Sequence, residues 1–116
     1  MKYLDYAHTK YQTFLKGHGG AAKGDYTGSC SWFAQIRGEI LGIAAFADAP
    51  EAWQAMVSEY NSLRGQAIVA MEPINAVCAR GGGTISAETD QQILAVFDNA
   101  QNRMYQMLQQ AKAMTK

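Results

Sequence analysis

Four basic side chains lie within or next to two glycine-rich segments, an arrangement that could hold an anion. The glycine-rich segments are residues 17–28 and 80–85, and the basic residues are Lys16, His18, Lys23 and Arg80. Backbone N–H groups in glycine loops and at the start of a helix attract negative charge. If both segments lie at one end of the fold, the sequence predicts an anion or small-ligand site there. The alternative is solvated lysines and an arginine near a helix C terminus, where the helix dipole favours it.

Cys30 and Cys78, the two cysteines of the chain, could form a disulfide. A disulfide needs Cα atoms within about 7 Å of each other, and a helix kink at Pro73 would help to close the gap. A bridge would tie the first glycine segment to the third helix and would imply an oxidising compartment. The alternative is two unpaired thiols, with Cys78 as an apolar core residue.

Arg64 and Glu39 form a candidate buried ion pair. Arg64 falls within the apolar stripe of its helix, where a cation must be paired or must extend its charged end to water. Glu39 lies at the edge of the facing stripe of the preceding helix, within reach of a long side chain. We expect such a pair to fix the register of two helices rather than to perform chemistry.

Other chemical sites find little support in the residue spacing. The histidines and cysteines do not show zinc-ligand spacing, and the C-x-x-C-H motif of c-type haem is missing. Residues 17–22 fit G-x-G-x-x-A, but this dinucleotide fingerprint must follow a strand and here it follows a helical pattern. Neither paired inward carboxylates nor a nucleophile motif occurs. We therefore expect no metal, no cofactor and no catalytic residue.

Composition narrows the classes of protein further. The chain has 116 residues, of which 48% are hydrophobic and 17% are charged, and its formal net charge is zero. The length predicts a single domain covering residues 1–116. A general nucleic-acid binder would carry a basic excess, so that class is disfavoured. The charges in Trp32–Ala49, the most apolar run, argue against membrane insertion. The chain would be cytoplasmic if Met1 is the native start, and periplasmic or secreted if a signal peptide has been removed.

Helical periodicity determines which elements would position these residues. Alanine and glutamine are abundant, whereas β-branched valine and isoleucine are few, and this balance favours helices. Apolar residues recur at helical spacing in four segments, which are Lys2–Lys16, Ser31–Ala47, Ala49–Ala79 and Ala87–Ala113. Ser86 is the expected N-cap of the last segment. Short links between amphipathic helices favour antiparallel neighbours. The predicted fold is all-α, an up-down-up-down four-helix bundle with two short and two long helices and both glycine-rich segments at one end.

The second segment carries an additional stripe of small residues opposite its isoleucines. The predicted interface residues on this side are Ala34, Gly38, Gly42, Ala45 and Phe46. A glycine inside a helix costs roughly 1 kcal/mol relative to alanine, so a close contact is expected to offset it. The stripe predicts a homodimer interface, and the alternative is a central helix covered by residues 17–28.

Three functional hypotheses follow, of which the third, an enzyme, has the least support in the residue spacing. The first is a non-enzymatic helical-bundle protein that acts through protein–protein contacts and associates with itself, using the small stripe and the uncharged polar face of the last segment. The second is a periplasmic small-ligand-binding or sensor domain with an anion site at the glycine-loop end.

Overall fold

The computed structural model describes residues 2–18, 24–43 and 53–114. These ranges contain the helices α1 (Lys2–His18), α2 (Cys30–Leu41), α3 (Gln54–Ala70), α4 (Glu72–Ala79) and α5 (Ala87–Met114). Within the same ranges extended pairing is limited to one isolated bridge between Asp25 and Thr84. The predicted all-α class is therefore confirmed for the described part of the chain. None of the described helices is both long and apolar enough to cross a membrane.

Helices α1 and α5 meet through the apolar stripes that the sequence predicts. Phe14 of α1 stacks on Phe97 of α5 with ring centroids 3.8 Å apart, and the Tyr11 ring lies 5.3 Å from the same phenylalanine. Both phenylalanines and Tyr11 are fully buried. Such aromatic pairs stabilise a core beyond the area that they bury. This contact joins the first and last helices of the chain.

Helix α2 is shorter than predicted. It starts at Cys30, with Ser29 in the N-cap position but without a side-chain capping hydrogen bond, and it ends at Leu41. Gly38 and Gly42 explain the early end, because glycine is a poor helix former and two of them fall one turn apart. Residues 44–47, the rest of the predicted segment, lie outside the described residues.

The predicted third helix is interrupted at Met71, which separates α3 from α4. Pro73 occupies the first turn of α4 and has no N–H to donate to the carbonyl of Val69, four residues earlier. The expectation that Pro73 ends or kinks the helix is confirmed. Residues 49–52, the first residues of the predicted segment, lie outside the described residues.

The described part of the first glycine-rich segment, residues 24–28, pairs with the second segment, residues 80–85. The Tyr26 N–H donates to the Gly83 carbonyl at 2.8 Å, and the Ile85 N–H donates to the Gly24 carbonyl at 2.9 Å. Gly81 and Gly82 have positive φ and end α4, because the Gly82 N–H reaches the Val77 carbonyl at 3.0 Å. Ser86 caps α5 as predicted, since its hydroxyl accepts the Thr89 N–H at 3.0 Å.

The remaining helix contacts complete the arrangement. Helix α1 packs against α2 as well as α5, α3 packs against α5, and α4 contacts both α2 and α3. Ion pairs accompany these contacts, and they are Lys10–Glu39 between α1 and α2, Arg103–Glu59 between α5 and α3, and Arg37–Glu72 between α2 and α4.

Candidate interaction surface

None of the fully exposed residues of α3 is charged, and its two charged residues, Glu59 and Arg64, lie at the sides of the helix and are partly buried. Its inward face buries Met56, Tyr60, Leu63 and Ala67. Its exposed residues are Gln54, Ala55, Ser58, Asn61, Ser62, Gly65, Gln66 and Val69. A solvent-facing helix side ordinarily carries charged residues. Charged residues are depleted in the centres of protein interfaces, so this composition is typical of a surface that is covered by a partner.

A groove of about 530 Å³ runs between α3 and α5 beside this face. Its lining residues are Gly65, Gln66, Val69, Ala70, Pro73, Thr89, Gln92, Ile93 and Val96. All of them lie in the described ranges and none is charged. Val69 stands at the rim with 71% of its surface exposed, whereas Ile93 is buried. The groove therefore offers an apolar lining with a few amide and hydroxyl groups.

Gly65 leaves a gap in the α3 side of the groove. Apart from the adjoining backbone of α3, a Cβ atom placed on Gly65 would meet no atom of the described residues within 4 Å. Packing within the described chain therefore does not require glycine here, although glycine in the middle of a helix is destabilising by roughly 0.5–1 kcal/mol relative to alanine. The cost is explained if another chain approaches the helix backbone at this point.

Arg103 and Glu59 link α5 to α3 beyond the groove, which neither of them lines. The Arg103 guanidinium donates from Nε and Nη2 to the two carboxylate oxygens of Glu59, at 2.6 Å and 2.8 Å. The hydrogen bonds from Arg103 lower the pKa of Glu59 below its usual value. Because both side chains are substantially exposed, the pair contributes more to geometry than to stability.

The predicted small stripe of α2 is exposed where the structure describes it. Ala34, Gly38 and Gly42 are all open to solvent. No atom of the described residues lies within 4 Å of a Cβ built on Gly38. Ala45 and Phe46, the other two predicted interface residues, lie outside the described residues. The described part of the first glycine segment does not cover this stripe.

The four predicted anion-binding residues are only partly placed by the structure. Lys16 and Arg80 are exposed, at the end of α1 and just after α4. The side chain of His18 and the whole of Lys23 lie outside the described residues. The N–H groups of Tyr26, Gly81, Gly82 and Ile85 all donate to backbone carbonyls. These four donors are therefore committed to the fold and are not directed at a ligand.

The structure contains the disulfide between Cys30 and Cys78, with Cα atoms 5.5 Å apart. It joins the first residue of α2 to α4, next to the bridge between Asp25 and Thr84. The alternative of two unpaired thiols is therefore not what the structure shows. The helix break at Met71, between α3 and α4, is the kink that the predicted disulfide required.

The predicted ion pair between Glu39 and Arg64 is replaced by two other contacts. Glu39 pairs with Lys10 of α1. Arg64 donates from Nη2 to the Leu41 carbonyl at 2.8 Å, at the end of α2. The last carbonyls of a helix lack partners within it and carry partial negative charge, so they attract the guanidinium. Arg64 does link α2 to α3, but through the backbone.

Sequence reasoning missed a buried polar contact at the glycine-loop end. Asp90 in the first turn of α5 is only 3% exposed, and the Tyr26 hydroxyl donates to its Oδ1 atom at 3.1 Å. Burial and the neighbouring Asp90 carboxylate raise the pKa of Tyr26 above its ordinary value. Tyr26 lies outside any periodic segment, so the sequence offered no signal beyond its large aromatic ring.

Within the described ranges, no three histidine, cysteine, aspartate or glutamate side chains come together as a metal site would require. The uncharged groove between α3 and α5 is a surface feature that the sequence prediction did not identify. Val69 and Gly65 lie off the buried stripe of α3, and from the sequence they resemble ordinary surface positions.

Comparisons of the chain with family models, with curated proteins and with solved structures found no match in any of the three.

Proposed function

We propose that this chain is a non-enzymatic interaction protein that associates with itself, built as an antiparallel up-down-up-down four-helix bundle. Helices α3 and α4 together form the third of its four antiparallel segments. The uncharged exposed face of α3 with its apolar groove is the observation that carries this function. Exposed apolar grooves rimmed by polar groups are typical of protein-interaction sites.

The order of the contacts supports an antiparallel arrangement. Residues later in one helix pair with residues earlier in its neighbour. Along α1 and α5 the paired rings are His8 with Tyr105 and Phe14 with Phe97. Along α1 and α2 the pairs are Lys10 with Glu39 and Phe14 with Trp32. Along α3 and α5, Glu59 pairs with Arg103, while Val69 and Ile93 line the same groove.

The disulfide favours an oxidising compartment as the place where this protein works, because bridges of this kind persist in periplasmic and secreted proteins.

The anion-binding alternative has less support. Two of its four residues are exposed, and the neighbouring N–H groups already have partners.

Sedimentation of the oxidised chain over a wide concentration range tests the proposed self-association. We expect the mean mass to rise from the monomer toward the dimer as concentration increases. A monomer at every concentration would overturn it.

A parallel thermal-shift measurement with inorganic phosphate tests the alternative, because a stabilisation that saturates with phosphate would favour the glycine-loop end as the functional site.

A further inference from the structure

We infer that the α3 groove takes a second copy of this chain, docked across a two-fold axis so that Val69 of each copy sits over Gly65 of the other. This contact mode rests on the proposed self-association. It assigns that association to one surface and one register, and it differs from the small stripe of α2 that the sequence favours.

The α3 face carries both halves of a complementary contact. Gly65 is a gap with open space above it, and Val69 is a protruding apolar side chain with 71% of its surface exposed. Residues four apart lie on the same side of a helix, and at 1.5 Å per residue they are separated by about 6 Å along the axis. When two such helices cross in opposite directions about a point level with Ala67, each valine falls opposite the other copy's glycine.

The missing charge on this face favours a second copy over other partners. In a two-fold contact the same patch meets itself, so any charged side chain near the axis would face a like charge. The exposed residues of α3 near this axis avoid that repulsion, and Glu59, the partly exposed carboxylate of the helix, is paired with Arg103. An uncharged face also has nothing with which to select nucleic acid, an acidic peptide or an anionic lipid surface, each of which is recognised through positive charge.

The size of the face predicts a weak dimer. Helix α3 has 17 residues, so it is about 25 Å long. With the adjoining wall of α5, at a spacing of about 10 Å, the contact covers on the order of 500 Å² on each copy. Stable standard interfaces bury about 800 Å² per partner. We therefore expect an equilibrium between monomer and dimer that shifts with concentration.

A matched pair of glycine variants locates the interface. Gly65→Leu fills the gap on α3, and Gly38→Leu makes the same change at an exposed helical glycine of α2 that also has open space around it. We expect the dimer dissociation constant to rise at least tenfold in Gly65→Leu and to change less than twofold in Gly38→Leu. Both variants should remain folded, and helical circular dichroism with a cooperative melt checks this directly.

The outcomes of this comparison separate the two levels of the proposal. If Gly38→Leu weakens the dimer and Gly65→Leu does not, the α2 stripe is the interface and the α3 docking mode is wrong. If neither variant affects a dimer that wild-type protein forms, the docking mode is wrong while self-association stands. A monomeric wild-type protein would overturn both.

Cross-linking tests the register independently. Gln66 lies one residue from the two-fold axis, so its two copies are offset by about 3 Å along the helices, whereas the copies of Ser58 are offset by about 27 Å. Oxidation should produce a covalent dimer from Gln66→Cys but not from Ser58→Cys. Equal cross-linking of the two variants, or a preference for Ser58→Cys, would contradict the register.

Discussion

Asp90 is the residue whose setting departs most from an ordinary surface position. Its carboxylate lies inside the core, where an unpaired charge would be expensive. Two features offset that cost, namely the Tyr26 hydroxyl at 3.1 Å and the position of Asp90 in the first turn of α5, where the helix dipole favours negative charge. This contact ties the first glycine-rich segment to the start of the last helix.

Replacing Tyr26 with phenylalanine removes the hydroxyl while keeping the ring. Hydrogen bonds to charged groups contribute about 1.5–3 kcal/mol, so we expect Tyr26→Phe to lower the free energy of unfolding by an amount in that range. Urea denaturation followed by circular dichroism measures it. Tyr105→Phe is the matched control, because Tyr105 is 53% exposed, and its loss should stay within about 0.5 kcal/mol. Equal losses in the two variants would show that the contact does not stabilise the fold.

At the residue scale, the sequence predicted burial correctly for residues that recur at helical spacing. Tyr11 and Phe14 recur at helical spacing, and both are buried. Tyr26 has no periodic neighbours, so its burial depends on a long-range approach between two loops. Arg64 was correctly expected to need a partner. Its partner is the backbone carbonyl of Leu41 at the end of α2, and the sequence predicted that α2 would end later than it does.

At the scale of elements, the disulfide is the covalent link between otherwise lightly connected parts. It joins residues 48 positions apart, and α2 and α4 are both short helices. Closing a loop of this length removes much of the conformational freedom of the unfolded chain. The same link holds the backbone of Gly24–Thr27 close to residues 82–85.

The double variant Cys30→Ser and Cys78→Ser should therefore be markedly less stable. The chain-entropy relation for a loop of 48 residues gives about 4 kcal/mol, and we expect a loss of this order in the free energy of unfolding. Denaturant titration measures it, and wild-type protein unfolded in the presence of a reductant should show a similar loss. A loss below about 1 kcal/mol would mean that the unfolded chain is already restricted without the bridge.

Element boundaries were predicted well where one signal dominated. The start of α5 follows from Ser86, and the break before α4 follows from Pro73. The end of α2 was predicted six residues too late, because apolar residues continue beyond Gly42 and their spacing outweighed the two glycines. The groove between α3 and α5 could not be predicted, since it depends on how far apart two helices pack, which no single helix pattern encodes.

At the scale of the whole molecule, three buried tyrosines make the folded state less stable at alkaline pH. Burial raises the pKa of Tyr60 to about 12 and also raises the pKa values of Tyr11 and Tyr26. In the unfolded chain a tyrosine has a pKa near 10. The folded state therefore binds these protons more tightly, and its stability is intact below about pH 10 and decreases as the pH rises above that value.

We expect the free energy of unfolding to fall between pH 10 and 12, with each buried tyrosine contributing up to about 1.4 kcal/mol per pH unit. Urea denaturation at a series of pH values measures the slope. Tyr60→Phe should reduce that slope while leaving a remainder from Tyr11 and Tyr26. An unchanged slope in this variant would show that other groups, such as lysines, cause the alkaline instability.

The charge-free exterior of α3 also determines how dissolved ions act on this protein. At an ionic strength of 0.1 M, electrostatic forces between exposed groups decay over about 10 Å, but the fully exposed residues of α3 carry no charge for sodium and chloride to screen. A contact made through them would hold equally well in dilute buffer and in concentrated brine. Sulfate, which is excluded from apolar surface, would tighten it.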